Sequence, residues 1–464
     1  MTTSPSIWQQ LKPYCSGIIF VLDVALLFIL INTLPFSPSE NRGLALLCFI
    51  GILWLTEAFN ITVTSLMVPV VAILLGLINT KAALAPFATP IIFMFFGGFV
   101  LAAVLRLQEL DKLIAHYIIR LAGGNLALTV VYLFTVTAFL SMWINNTAVA
   151  AMMLPLTLGL LRDIDYKQHR SLYIFILLGM AFSSSIGGIG TLIGSAPNAI
   201  LASQLDISFA EWLKYGFPVM MLLMPSMIIA LWVILRPNFN IQFRFESEKV
   251  PLDRQKWLTL IIFGITALIL VFSSLINPVL TQVLNLSEKI QSFDSIIALS
   301  AVVALTASGV ARWSEVQKHV EWGVLLLFGG GLTLSVVLKS SGASHILADT
   351  IVQFIGNKHW LMITIVLTCF VIFLTEFTSN TASAALLMPI FISVADSLNA
   401  PPIALAAIIA CGASCAFMLP IATPPNAIVY STGYIKQSDM AKVGILLNVF
   451  CVLVIGLLAY YTWL

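Results

Sequence analysis

Long apolar runs recur from one end of the chain to the other, and polar residues fall mostly in the short connectors between them. The stretches 44–59, 172–186, 257–275 and 443–464 are typical. Their lengths lie near the roughly 20 residues that a helix needs to cross a bilayer. Mid-membrane offers no water to satisfy a lone N–H or C=O, so each run predicts a helix that closes its own hydrogen bonds. The runs are continuous, which argues against a membrane barrel of strands about 10 residues long with alternating polarity. The stretch 17–34 reads as a retained first helix: only Lys12 precedes it as a clear cation, and no small-residue cleavage pattern follows.

The runs that break this pattern are the informative ones, because they break it twice in the same way. Residues 139–155 read FLSMWINNTAVAAMMLP and residues 373–389 read FLTEFTSNTASAALLMP. Upstream of each lies a second echo, FFGGFVLAAVLR (95–106) against LFGGGLTLSVVLK (327–339), and downstream a third, GSAPNAI (194–200) against ATPPNAI (422–428). Three echoes in one order indicate an internal duplication. The longest polar stretch, 236–256, falls between the copies. Polar or helix-breaking residues interrupt apolar runs at Asn145-Asn146-Thr147 and Ser379-Asn380-Thr381, and again at 187–198 and 420–426. A single Ser, Thr, Asn or Gly inside a membrane helix commonly serves packing. Four coordinated interruptions related by a repeat point instead to a transporter's central site.

Composition sharpens the class. Of 464 residues, 60% are hydrophobic and 9% charged, against about 25% charged in a soluble domain. The net charge of +2 gives no bulk attraction to nucleic acid. The six cysteines lie mostly inside apolar runs without a CxxC pair and read as packing residues. His116, His169, His319, His345 and His359 sit in or near polar connectors and form no ligand cluster in sequence. An intramembrane hydrolase would need a nucleophile with a base, or HExxH-like metal spacing. Neither is present, and Asn/Thr tips make poor acid–base catalysts. A channel would repeat helices around a pore with selectivity rings, which a two-copy plan does not supply.

On the strings SMWINNTA…MMLP and TEFTSNTA…LLMP and both PNAI segments, the chain resembles the divalent anion/sodium symporter family, whose signature is two Ser-Asn-Thr motifs. The second copy, Ser379-Asn380-Thr381, matches; the first carries Asn145 where the leading serine stands. The order of elements agrees from about residue 44 to the C-terminus. The resemblance implies an all-α polytopic protein of the bacterial inner membrane, with about eleven spanning helices and two re-entrant hairpins (about 125–160 and 359–396) in an inverted-topology repeat. It implies a homodimer with an elevator motion, in which hairpins and broken helices move against a scaffold. The division expected is 1–124 and 215–358 for the scaffold, 125–214 and 359–430 for the moving part, and 431–464 for the last helix. With the N-terminus inside, only Arg42, Lys81, Lys214, Lys289, Lys339 and Lys358 of the 22 Lys and Arg fall outside, as the positive-inside rule asks.

A hairpin with a non-helical tip aims two helix ends at one point: free N–H groups carrying about +0.5 charge, and free carbonyls that hold a cation. Neither tip carries Lys or Arg. A dianion there depends on helix ends, amides, hydroxyls and co-bound sodium, because burying it bare is costly. The resemblance implies two or more sodium ions as cargo. One site would use Ser141, Asn145, Asn146 and the carbonyl of Gly194; the other, Thr375, Thr378, Asn380 and the carbonyl of Ala422. Substrate would meet Asn145, Asn146, Thr147, Ser379, Asn380 and Thr381, with Ser195, Thr423 and Pro424 closing the pocket. Asn145 could offer oxygen to sodium or alter substrate size or coupling. Glu57, Glu376 and Asp23 lie in apolar runs, where acids are expensive; Glu376 reads as a structural brace, with proton coupling as the alternative. Sodium-coupled symport of succinate, malate or fumarate comes first. A dicarboxylate exchanger and a sulfate or citrate carrier follow.

Overall fold

A computed structural model describes residues 7–110, 113–114, 122–240, 252–355 and 359–464, with side chains from residue 16 onward. Of the positions discussed above, Lys112, His116, Arg120, Arg244, Lys249 and Lys358 lie outside the described residues, as does 241–251 of the central polar stretch. Among the described residues the secondary structure is entirely helical.

The first part runs α1 (Ile7–Thr33), α2 (Pro38–Thr56), α3 (Ile61–Leu74), α4 (Thr80–Leu84) and α5 (Pro90–Leu107). A hairpin follows, α6 (Leu126–Ser141) and α7 (Asn146–Leu161), then α8 (Arg170–Ile189), α9 (Ala196–Leu205) and α10 (Phe209–Leu235). The second part runs α11 (Arg254–Val271), α12 (Ser273–Val283), α13 (Phe293–Ala307), α14 (Trp313–His319), α15 (Trp322–Ser341) and α16 (Ala343–Ile355). A second hairpin, α17 (Trp360–Thr375) and α18 (Asn380–Ser397), precedes α19 (Pro402–Ala413), α20 (Pro424–Tyr430) and α21 (Gln437–Leu458). Among the described residues, seven helical segments have the length and composition to cross a membrane. Adding the α2, α3, α13 and α19–α20 segments would give the eleven passes that the resemblance implies.

Local chemistry places the ends. Ser37 and Glu40 form a reciprocal capping box at α2, and Ser208 and Glu211 form another at α10. Asn125 starts α6 by accepting the Leu128 N–H at 3.0 Å. Each arm of the first hairpin has 16 residues, about 24 Å at 1.5 Å per residue, less than the roughly 30 Å of a bilayer core. Short arms joined by the non-helical tip 142–145 fit a segment that enters and turns back. Both return arms carry a proline at the matched position, Pro155 and Pro389.

The duplication is visible in packing. α6 and α7 lie on α8, and α17 and α18 lie on α19. The short second halves then cross over: α9 packs on α18 and α19 of the other copy, and α20 packs on α7 and α8. Elsewhere α5 pairs with α13, and α15 pairs with α3. The glycines of the upstream echo explain those last two contacts. A Cβ on Gly97 would stand 2.6 Å from the Ala298 Cβ, and one on Gly330 would stand 2.5 Å from the Ser65 carbonyl. Only a glycine lets the helices approach that closely.

Three expectations are corrected. The run 44–59 stops as helix at Thr56, and Glu57 sits exposed in the left-handed C-cap, outside the apolar face. Gly187 and Gly188 belong to α8, and the first break spans 190–195. The second break opens at Ser414, six residues before the expected 420, because a carboxylate draws off the N–H groups of residues 417–419. Asp23 is 2% exposed, and nothing in the structure explains why both its oxygens lack a partner among the described residues.

Candidate functional site

Both hairpin tips meet the two helix breaks deep in the fold, through one bonding pattern used twice. In the first copy, α6 ends at Ser141, which is fully buried. Its hydroxyl lies 2.8 Å from Asn146 Oδ1 and 2.5 Å from the Ser184 carbonyl, with both oxygens placed to accept. In the second copy, α17 ends at Thr375, also fully buried. Its hydroxyl lies 2.7 Å from Asn380 Oδ1 and 3.1 Å from the Ala413 carbonyl. Each pair ties the last residue of one arm to the first residue of the next and to the first half of the broken helix. The tip is thereby held open without helical hydrogen bonds of its own.

The downstream asparagines, absent from the sequence-based site, hold the breaks themselves. Asn198 Nδ2 donates to the carbonyls of Gly188 (2.9 Å) and Thr191 (2.7 Å). Asn426 Nδ2 donates to those of Ala416 (3.1 Å) and Leu419 (3.0 Å). In both copies the partners lie ten and seven residues upstream. Carbonyls that have lost their helical N–H need a donor when buried, and each asparagine supplies one. The PNAI echo was the signal that could have identified them. Both amide oxygens are buried and have no partner among the described residues.

Around the first break, four oxygens converge on the space beside two glycines. A Cβ on Gly188 would lie 2.3 Å from Asn146 Oδ1 and 2.9 Å from the Gly194 carbonyl. A Cβ on Gly194 would lie 2.7 Å from the carbonyls of Gly188 and Ser141. An all-oxygen, uncharged cradle of this kind suits a hard cation. Thr191 braces it, its hydroxyl donating to the Met142 carbonyl while accepting the Gly194 N–H at 3.2 Å. The second copy carries alanines at the matched positions, Ala416 and Ala422, so its cradle accommodates two methyl groups.

Bracing also differs between copies. Where the first uses Thr191, the second uses Glu376, which is 1% exposed. Its Oε1 accepts the N–H groups of Phe417 (2.7 Å) and Met418 (2.9 Å) and Asn448 Nδ2 (2.7 Å). Its Oε2 accepts the Leu419 N–H at 3.2 Å. All four contacts are donations to the carboxylate, which is the geometry of a brace.

Other sequence-selected residues fall as follows. Asn145 caps α7, its Oδ1 accepting the Ala148 N–H at 2.8 Å. Thr147 opens α7 with an exposed side chain, and Thr381 stands half-buried at the matched position of α18. Ser379 precedes α18 without a side-chain cap bond. Ser195 precedes α9 without a side-chain cap bond, and its hydroxyl meets that of Ser414 at 3.0 Å, joining the two breaks. Thr423 caps α20 at the Asn426 N–H (3.4 Å), and Pro424 takes the first position, where no N–H is required. Thr378 stands apart from the rest. Its hydroxyl donates to the Leu374 carbonyl (3.0 Å) and pairs with Ser383 Oγ (2.6 Å), within its own hairpin. Its first-copy counterpart is Ile144.

The profile of a protein family described as citrate transporter matches residues 51–351 and 295–464. An uncharacterized transporter of Haemophilus influenzae is 56% identical over 455 residues, covering 98% of this chain and 99% of that one. A sodium-dependent dicarboxylate transporter of Staphylococcus saprophyticus is 31% identical over 491 residues, covering 98% and 93%. Among solved structures, the YdaH transporter of Alcanivorax borkumensis aligns at a TM-score of 0.59 and 12% identity, covering 97% of this chain and 99% of that one. This last likeness is one of fold.

Proposed function

The chain belongs to the citrate transporter family and is a membrane transporter of the divalent anion/sodium symporter kind, not an enzyme; from that premise we propose that it carries C4-dicarboxylates into the cell together with sodium. One observation carries the reading: the doubled arrangement of hydroxyl, asparagine and broken-helix carbonyl at Ser141–Asn146–Ser184 and Thr375–Asn380–Ala413. A relative named for sodium-dependent dicarboxylate transport, alignable along nearly the whole chain, supports it.

In this reading sodium rides in the oxygen cradles. The first is made of Ser141, Asn146 and the carbonyl of Gly194, with that of Gly188 added by the geometry. The second is made of Thr375, Asn380 and the carbonyl near Ala422. Thr378 drops to a hairpin tie, since its hydroxyl is engaged within its own hairpin. The substrate's carboxylates meet the free N–H groups at the starts of α7 and α18, with Thr147 and Thr381 beside them. Ser195, Thr423 and Pro424 line the wall between. Each cation offsets part of the dianion's charge, so neither binds well alone.

The hairpins with α8–α9 and α19–α20 form the moving body, α21 is the separate last helix, and the remaining helices form the scaffold. The body carries the site across as a rigid elevator within a homodimer of the bacterial inner membrane. Citrate is the second reading, favoured by the description of the matching family. The test is uptake of radiolabelled succinate into liposomes holding the purified protein, with and without an inward sodium gradient. Sodium-driven uptake that slows under excess fumarate supports the reading. Uptake only into succinate-loaded vesicles, whatever the sodium, replaces it with exchange. Citrate accumulation without succinate uptake replaces the substrate.

A further inference from the structure

The two tips differ at one matched position, and the structure gives the difference a chemical sense. Asn145 precedes α7 where Ser379 precedes α18. Ser379 makes no cap bond, which leaves the Ala382 N–H uncapped at the start of α18. Asn145 Oδ1 accepts the matching N–H, that of Ala148, at 2.8 Å. A carboxamide is planar, with an acceptor at one end and two donors at the other. Anchoring the oxygen on the helix end therefore aims the nitrogen away from it. Among the described residues Nδ2 finds no acceptor, and the side chain is only half-buried.

A serine at this place falls short of the carboxamide's reach, and its free hydroxyl can turn a lone pair to a cation. The anchored asparagine spends a lone pair on the helix end and turns its two N–H groups away from it. Asn146, one residue on, shows the opposite arrangement: its Oδ1 faces the Ser141 hydroxyl and the glycine cradle. The adjacent amides thus divide the work. One points oxygen at the cation space, and the other points N–H groups at the open side of the tip.

We propose that Asn145 is a hydrogen-bond donor to a carboxylate of the transported anion and takes no part in holding sodium. Its two N–H groups replace the backbone donor of Ala148 that its oxygen consumes, and set the anion farther out along the tip than Ser379 and Ala382 do in the second copy. The inference rests on the dicarboxylate–sodium reading above.

The experiment measures the succinate KM at saturating sodium, and the sodium half-saturation at a fixed multiple of each variant's KM, for wild type, Asn145→Ser and Asn145→Asp. A lost hydrogen bond to a charged group corresponds to a KM increase of about tenfold or more in Asn145→Ser, and sodium half-saturation should stay within about twofold. Asn145→Asp keeps an oxygen on the Ala148 N–H, so its folding is protected, but it presents a carboxylate to an anion. Its succinate KM should rise more steeply than that of the serine variant. Raised sodium half-saturation with an unmoved KM in Asn145→Ser makes residue 145 a cation ligand and overturns the inference. So does a variant unchanged in both constants. Either result alongside sodium-driven wild-type uptake leaves the function standing; absence of wild-type uptake of any dicarboxylate overturns both.

Discussion

Glu376 offers the sharpest test of how the second break is held. Replacing it with glutamine keeps one oxygen, which can retain the three contacts now made by Oε1: Phe417 N–H, Met418 N–H and Asn448 Nδ2. The new Nε2 then faces the Leu419 N–H, donor to donor, and that one bond is lost. A single unmet buried donor costs about 1–3 kcal/mol. Alanine removes every acceptor, orphaning three backbone donors and one amide in a place where the side chain is 1% exposed. Three backbone orphans alone cost on the order of 3–9 kcal/mol, a large share of the roughly 5–15 kcal/mol typical of folded proteins. The assay is thermal unfolding of the detergent-solubilised protein by tryptophan fluorescence, with succinate uptake measured in parallel. Glu376→Gln should fold and transport with a modestly lowered Tm; Glu376→Ala should lose most of both. An alanine variant as stable as wild type would refute the bracing argument. A glutamine variant of unchanged stability whose uptake has lost its pH dependence would make Glu376 a proton carrier.

Three further outcomes follow from the same geometry. Gly188→Ala places a methyl group 2.3 Å from Asn146 Oδ1 and 2.9 Å from the Gly194 carbonyl. It should cut sodium-dependent uptake at least about tenfold, as expected when one ligand of a tight constellation moves, while the size-exclusion profile stays normal. Asn198→Asp and Asn426→Asp exchange an amide donor for oxygen facing two carbonyls. Both should abolish uptake, and the aspartate variants should unfold at lower temperature than the alanine ones. In contrast, Arg170→Ala removes an ion pair to Asp439 in which the arginine side chain is 38% exposed. It should change stability by no more than about 1 kcal/mol, checked by the same unfolding measurement.

The linear pattern carried the architecture because its physics is local. Apolar length alone makes a membrane helix, since nothing else satisfies the backbone in lipid. A duplicated interruption marks a site because irregular backbone at that depth needs a purpose. Asn146 and Asn380 stood out for that reason, whereas Ser141, Thr375 and the hairpin bounds, which fall within two residues of the helices, came from the family resemblance.

Partners distant in sequence were settled only by packing. Gly187 and Gly188 look like helix breakers in the string, yet they lie inside α8, where the Ala138 backbone and Asn146 Oδ1 approach too closely for any side chain. Thr378 is a ligand by the family resemblance, and which partner its hydroxyl meets, Ser383, was visible only in the fold. The contact of Glu376 with residues 417–419 and Asn448 spans 41 to 72 positions and shifts the start of the second break from 420 to 414. Asn145 shows the division most plainly. Its identity was in the sequence, but which end of its amide faces the site was fixed by one cap bond to Ala148. A helix end does not exist until the chain has folded.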